Sequence, residues 1–186
     1  MPTRRVRSTL FLAALVLNYS ACALRSLPVT PGTAQMAECR AADLRLAVGG
    51  RFSEPTGQHS LSLTLTNQSQ VACYLLGYPG VSLLDGANRP LPFDYKQSGD
   101  QVVTSQTPRR IDLASAGVAY VTINKYRCDL GDKGSAQALQ LNLPEDSSAL
   151  AVTLVDSSLG YCGPGDPGTT VSISPFEPTL SETLAH

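Results

Sequence analysis

A leucine at every second position is the feature that most limits how this chain can fold. In the segment HSLSLTLTN, residues 59–67, Leu61, Leu63 and Leu65 alternate with serine and threonine. Because successive side chains of a β-strand point to opposite faces of a sheet, this spacing places all three leucines on one face. The segment is therefore predicted to be a strand with one face in the core and one polar face.

Similar short runs recur along the chain, separated by turns rich in glycine, proline, aspartate and asparagine. No window of a dozen residues carries the apolar spacing of an amphipathic helix. This pattern predicts an all-β fold, namely a two-sheet antiparallel sandwich of the immunoglobulin-like type. The predicted strands cover residues 43–48, 59–67, 71–77, 81–84, 91–95, 102–104, 111–113, 117–126, 138–144, 150–155 and 170–174.

The cysteines restrict the fold further. There are five, and an odd number in an exported protein leaves one cysteine outside any disulfide. When Cys22 is set aside, the other four allow three pairings. We expect neighbours in the sequence to pair, Cys39 with Cys73 and Cys128 with Cys162, because the two pairs then enclose loops of equal length. Each such disulfide would stabilise the fold by about 4 kcal/mol in the chain-entropy model.

Residues 1–21 have the three parts of a secretory signal peptide. Arginines at the start are followed by the apolar run Leu10–Leu17 and by small residues directly before Cys22. This order resembles a bacterial lipobox, with Tyr19 at the position that leucine usually holds. It predicts a lipid on Cys22, which would anchor the protein to the outer face of the cytoplasmic membrane, and a cleaved and released protein is the alternative. Residues 22–38 are predicted to be a flexible linker.

Composition and charge are consistent with one folded domain, predicted over residues 39–176 and followed by a disordered tail at 177–186. Hydrophobic residues make up 42% of the chain, which is enough for a core. The formal net charge is −1, so no strong electrostatic attraction to nucleic acid is expected. The membrane, reached through the lipid, is the expected partner, together with an envelope protein or a cell-wall component.

The two histidines give little support to catalysis. His186 ends the chain, so His59 is the only candidate for a positioned base in a serine-hydrolase triad. No Gly-x-Ser-x-Gly motif accompanies it. We therefore expect no catalytic residues, and we interpret His59 as a solvated histidine at the end of a strand.

Three aspartates lie in two glycine-rich loops that a Cys128–Cys162 disulfide would bring side by side. Asp129, Asp132 and Asp166 are weak candidates for binding a ligand or a shared Ca²⁺, which takes six to eight oxygen ligands. Ordinary use of aspartate in turns is the favoured interpretation. No metal or cofactor is therefore predicted.

One string of residues carries a family resemblance. It comprises Thr66, Asn67, Ser69, Cys73 and Gly77–Gly80, and it is followed by LASAGVAYVTI, by Cys128 and by a late YCG before VSISPF. This combination resembles the actinobacterial envelope family called domain of unknown function 4232, over most of residues 39–176. The resemblance implies an immunoglobulin-like sandwich and frequent lipid anchoring, and it transfers no catalytic residues.

The same string also has an interpretation in terms of turns. Asn67 and Ser69 are suited to bond to neighbouring backbone groups in a turn. Pro79 and Gly80 predict a bend, at which the Tyr78 hydroxyl would close a corner, and a surface binding platform is the alternative role for Tyr78.

Three hypotheses about function follow, from different classes. The leading one is a non-catalytic binding or interaction module of the cell envelope. The second is a structural or assembly accessory of an envelope complex. The third is a metal-dependent hydrolase that uses His59 or the aspartate loops.

Overall fold

A computed structural model describes residues 35–53, 57–155 and 159–186. Within these ranges the regular structure consists of β-strands and three short 3-10 turns, without an α-helix, so the all-β prediction is confirmed. Among the same residues no helix is long and apolar enough to cross a membrane. The strands are β1 (Leu44–Ser53), β2 (Gln58–Asn67), β3 (Cys73–Leu75), β4 (Gly80–Leu84), β5 (Asp94–Lys96), β6 (Ile111–Leu113), β7 (Val118–Tyr126), β8 (Gly134–Ser135), β9 (Ala138–Asn142), β10 (Ala149–Thr153), β11 (Gly160–Tyr161) and β12 (Thr170–Ile173).

The strands form four hydrogen-bonded sheets where two were predicted. They are a five-stranded sheet in the order β1-β2-β7-β12-β5, a three-stranded sheet β10-β9-β4, and the pairs β11-β8 and β3-β6. The pairing of β5 with β12 is parallel, which corrects the prediction of a wholly antiparallel arrangement. Alternation along a strand determines which face is buried but does not identify the neighbouring strand. The predicted strand at 102–104 forms only one isolated bridge, between Val103 and Leu184.

The core lies where the leucine alternation places it. Leu61 and Leu63 of β2 stand opposite Ile123 and Val121 of β7 in the antiparallel register. All four are at most 3% exposed. They belong to one hydrophobic cluster with residues of the three-stranded sheet, such as Leu139. The five-stranded and three-stranded sheets therefore share a core.

Both predicted disulfides are present, Cys39–Cys73 and Cys128–Cys162. Near the first, the Tyr74 backbone N–H donates to the Ala37 carbonyl at 3.0 Å, so ordered structure begins before the predicted end of the linker. The predicted signal peptide (residues 1–21), the lipid site Cys22 and linker residues 23–34 lie outside the described residues.

The prediction of a disordered tail at residues 177–186 is wrong for most of that segment. Glu177 and Thr183 are fully buried. The backbone of Glu177 bonds to Tyr120 in both directions, and the hydroxyls of Thr183 and Thr122 lie 2.6 Å apart. Since Thr122 points away from the leucine core, the tail covers the polar face of the five-stranded sheet. Its polar sequence suggested solvent exposure, but its hydroxyls and backbone groups pair with buried polar groups of the sheet.

An ion-pair cluster holds this tail. Glu177 Oε2 lies 3.2 Å from Arg109 Nη2, and the same nitrogen pairs with Glu182. Neither carboxylate oxygen of Glu177 has an aligned hydrogen bond within the described residues. Burial raises the pKa of Glu177, and the nearby positive charge of Arg109 only partly opposes this. The ionised form of Glu177 is therefore a net cost to the native state.

The variant Glu177→Gln is expected to melt roughly 2–4 °C higher than wild type at pH 7. The pKa of Glu177 is higher in the native than in the unfolded chain, so stability rises as pH falls through the native pKa toward the unfolded value. The neutral amide resembles the protonated acid, so the difference should vanish near pH 4. Thermal melts between pH 4 and 8 measure this convergence.

Glu182→Gln is the matched control, with the opposite sign. Bonds from Thr179 and Arg109 lower the pKa of the half-buried Glu182 carboxyl. Its contribution is therefore present at neutral pH and is lost as pH falls. This variant should melt below wild type at pH 7 and converge with it in acid. Equal and parallel shifts in both variants would contradict the assignment.

Candidate functional site

A polar groove of about 720 Å³ lies at one edge of the five-stranded sheet. Strand β2 begins at Gln58, β7 ends at Tyr126 and β12 begins at Thr170, so these ends meet at the same edge. Parallel β5 adds Lys96 beside Ser172. The groove is lined by these strand ends, by the loop at residues 98–101 and by Pro167. We call this feature the polar groove.

A network of amide and carboxylate groups connects the groove to the sheet. Asn124 is 1% exposed, and its Nδ2 donates to Gln58 Oε1 at 2.7 Å and to Asp100 Oδ2 at 2.9 Å. Asp100 Oδ1 accepts the backbone N–H groups of Val102 and Val103. Asn124 Oδ1 has no hydrogen-bond partner within the described chain. The amide of Asn124 therefore bonds to two residues that line the groove, Gln58 and Asp100, while its own oxygen is a buried acceptor without a partner among the described residues.

The two glycine-rich loops lie side by side, as the sequence predicts. Asp166 Oδ2 accepts the backbone N–H groups of Asp129 and Leu130, at 3.1 and 3.4 Å, and Oδ1 accepts that of Gly168 at 2.9 Å. These bonds lower the pKa of the Asp166 carboxyl, and the bond from Gly168 has the largest effect. The carboxylate of Asp166 therefore joins the loops to each other, which is a turn role.

The weaker hypothesis, a Ca²⁺ site on these aspartates, finds no geometric support. In the described ranges no three His, Cys, Asp or Glu side chains form a group that could hold a metal ion. Asp132 instead packs against the backbone of β11, where a Cβ at Gly160 would overlap its carboxylate. Asp129 meets Asp166 through its backbone N–H, not through its carboxylate.

The candidate base His59 lies in β2 beside Lys125 of β7. Burial lowers the pKa of His59, the charge of Lys125 lowers it further, and Asp132 opposes the shift. His59 lines neither the polar groove nor a second cavity of about 710 Å³ beside the Cys39–Cys73 disulfide. The geometry therefore does not place it in a catalytic set.

Three of the polar side chains that line the second cavity pair with one another or with the backbone. The Tyr74 hydroxyl donates to Glu38 at 2.9 Å, and Asp146 accepts the backbone N–H of Ala41 at 2.8 Å. The Arg110 guanidinium lies 4.1 Å from the centre of the Tyr74 ring. Arg40 and Glu145 also line this cavity. The polar groove is the candidate developed below, because its lining residues Gln58 and Asp100 both bond to the buried amide of Asn124.

Tyr78 does not close a corner through its hydroxyl, and its alternative role as a surface binding platform stays a prediction. Its side chain is half-buried, but no hydrogen bond of its hydroxyl occurs within the described residues, so it does not close a corner in that way. Tyr78 lines neither cavity, and no hydrogen bond or ion pair connects it to Asp129, Asp132 or Asp166. Of the four weak binding candidates, the structure therefore brings Asp129 and Asp166 together and leaves Tyr78 apart from them.

Lys125 is 1% exposed, and its burial was not predicted from the sequence. It continues the odd-numbered series Ala119, Val121 and Ile123 on the core face of β7, and that register is the signal that could have identified it. Its Nζ donates to the Sγ of Cys128 at 3.8 Å. Burial lowers the pKa of Lys125, and the charges of Asp132 and Asp166 oppose this.

Comparison with known proteins gives one match. No curated protein and no solved structure matches the chain. A protein-family model matches residues 39–177, which takes in the strands that form the polar groove and both disulfides. The chain therefore belongs to the family described as domain of unknown function (DUF4232).

Proposed function

We propose that this chain is an exported, lipid-anchored protein of the cell envelope, of the actinobacterial type that it resembles, and that it acts as a non-catalytic binding module. The two disulfides support export, because disulfides persist mainly in oxidising compartments. The order of basic residues, apolar run, small residues and Cys22 supports the lipid anchor. The polar groove is the observation that carries the binding role.

The lining of the groove favours a ligand with many hydroxyl groups, such as a cell-wall glycan. Gln58 and Asp100 supply an amide and a carboxylate, Lys96 an ammonium group, and Tyr126 an aromatic ring with a hydroxyl. Such a mixture can accept and donate hydrogen bonds over one surface. The acyl chain of a lipid would leave these groups without partners, which is unfavourable when they are desolvated.

We also propose that the five-stranded and three-stranded sheets are the two layers of an immunoglobulin-like sandwich. Their shared core of leucine, isoleucine and valine supports this arrangement. In such a sandwich, loops and strand ends gather at the two ends of the layers. The polar groove, built from strand ends and one loop, would then occupy a position that many sandwich domains use for binding.

The groove can be tested with the double variant Lys96→Ala, Tyr126→Ala. Wild type is expected to bind purified cell-wall glycan fragments, as measured by isothermal titration calorimetry. The variant should bind at least about tenfold more weakly, because a hydrogen bond to a charged group contributes about 1.5–3 kcal/mol and 1.4 kcal/mol corresponds to tenfold.

The matched control is Lys133→Ala, Tyr78→Ala, which removes the same two residue types outside the groove. It should bind like wild type and melt at a similar temperature. If the control loses as much affinity as the groove variant, the groove is not the binding site. Wild type that binds no glycan fragment would show that the ligand class is wrong.

A further inference from the structure

The two disulfides lie in different surroundings, although each joins cysteines 34 residues apart. Cys39 and Cys73 are 5% and 7% exposed, and Cys162 is 2% exposed. Cys128 is half-buried, so it is the most exposed of the four disulfide cysteines. The Cys128–Cys162 disulfide therefore contains the most exposed of these cysteines.

The second difference is the amine beside Cys128. Lys125 Nζ donates to Cys128 Sγ at 3.8 Å. Of the carboxylates in the described residues, none forms an ion pair with Lys125 within 4.0 Å. The charged and titratable groups that act on it from neighbouring elements are Asp132, Asp166 and His59. Lys125 is thus a buried amine whose side chain bonds, within the described residues, to a disulfide sulfur.

Reduction would supply the negative partner that this amine lacks. A thiolate at Cys128 would face the Lys125 nitrogen at the distance of the present contact. A cation beside a cysteine favours the thiolate over the thiol, so the reduced form is stabilised. The same positive charge attracts the anionic thiolate of a reductant to Cys128 Sγ. Partial exposure together with an adjacent cation is typical of reactive cysteines, whereas buried structural cysteines are inert.

We propose that the Cys128–Cys162 disulfide is a site of thiol–disulfide exchange with a dithiol reductant, and that Cys128 carries the reactive sulfur. One thiolate of the dithiol attacks Cys128 Sγ, the bond to Cys162 breaks, and Cys162 leaves as a thiolate that takes a proton from water. The second thiolate of the dithiol then attacks the dithiol sulfur of the mixed disulfide and releases Cys128 as a thiolate beside Lys125. Two electrons pass from the dithiol, which becomes a disulfide, to the protein. Cys39–Cys73 remains as the structural disulfide.

Partial reduction of the folded, oxidised protein by dithiothreitol tests this difference. Samples are quenched with acid, alkylated and mapped by mass spectrometry, so that both disulfides are followed in the same molecules. Cys128–Cys162 should be reduced at least about tenfold faster than Cys39–Cys73. Global unfolding exposes both disulfides together, so the ratio of the two rates reports local reactivity alone. Equal rates would overturn the proposal.

The contribution of Lys125 is measured with Lys125→Met, since replacing a buried charge by an apolar residue of similar size often preserves stability. The ratio of the two reduction rates should fall toward one. Lys133→Met, on the neighbouring loop, is the matched control and should keep the wild-type ratio. A Lys125→Met protein with an unchanged ratio would show that the amine has no part in the exchange.

A pH profile separates an electrostatic effect from simple exposure. In Cys162→Ser the Cys128 thiol is free, and its alkylation rate against pH gives its pKa. We expect a value below the ordinary 8.5 of a free cysteine, and a rise of about one unit or more when Lys125→Met is added. In Cys128→Ser the buried Cys162 thiol should be alkylated at least about tenfold more slowly. A normal pKa at Cys128 in both backgrounds would contradict the role of the lysine.

Discussion

Replacing Cys22 with serine is expected to move the protein from the membrane fraction to the soluble fraction. Lipid attachment at this cysteine would supply two or three acyl chains, each contributing about 0.8 kcal/mol per buried CH₂ group. One chain gives only marginal binding, whereas two or three hold a protein durably. Serine has no thiol to which the diacylglycerol can be transferred, so the whole of this membrane affinity should be lost. Fractionation of cells followed by immunoblotting measures the change.

Ser26→Ala, four residues further along, is the matched control and should stay with the membrane. Mass spectrometry of the N-terminal peptide adds an independent readout, since wild type should begin at Cys22 and carry the mass of the lipid. If Cys22→Ser and wild type distribute alike between the fractions, the lipid anchor is wrong. A soluble wild type that begins near Cys22 without added mass would support the released form.

Local patterns in the sequence were sufficient for most strands and for the disulfides, but they missed the short strands β8 and β11. The alternation of Leu61, Leu63 and Leu65 predicts the strand and its buried face, because side-chain direction in a strand depends only on position. The adjacency of the Asp129 and Asp166 loops follows from the disulfide pairing and is confirmed by the bonds that Asp166 accepts. These properties depend on residues that are near in sequence or linked covalently.

The polar groove and the buried lysine depend instead on which strands become neighbours. Lys96 reaches the groove because β5 pairs in parallel with β12, a pairing that no local pattern specifies. Lys125 is buried because β2 and β12 flank β7 and the Cys128–Cys162 loops cover its end. Glu177 was assigned to a disordered tail for the same reason, since its burial against Tyr120 and Arg109 comes from distant segments.

Asn67 combines both kinds of information, and its replacement by aspartate is expected to destabilise the domain by about 2–4 kcal/mol. As predicted from sequence, its Oδ1 accepts the Ser69 backbone N–H and hydroxyl in a turn. What the sequence did not indicate is that Asn67 is 1% exposed. Its Nδ2 donates to the carbonyls of Val71, Leu113 and Ala114, at 2.9, 3.2 and 3.2 Å. A carboxylate has no donor for these three oxygens, so Asn67→Asp places a buried negative charge against them.

Asn88→Asp is the matched control, because it replaces an amide by an acid at an exposed turn position. Its stability should stay within about 0.5 kcal/mol of wild type. Urea unfolding at pH 7 gives the free energies of unfolding. Burial raises the native pKa of the carboxyl introduced by N67D above its value in the unfolded chain. The loss of stability relative to wild type should therefore shrink as pH falls through that native pKa, because the protonated acid regains one donor. Equal midpoints for N67D and N88D, or a deficit independent of pH, would mean that the three carbonyls do not depend on the amide. The turn would then be stabilised by its backbone bonds alone.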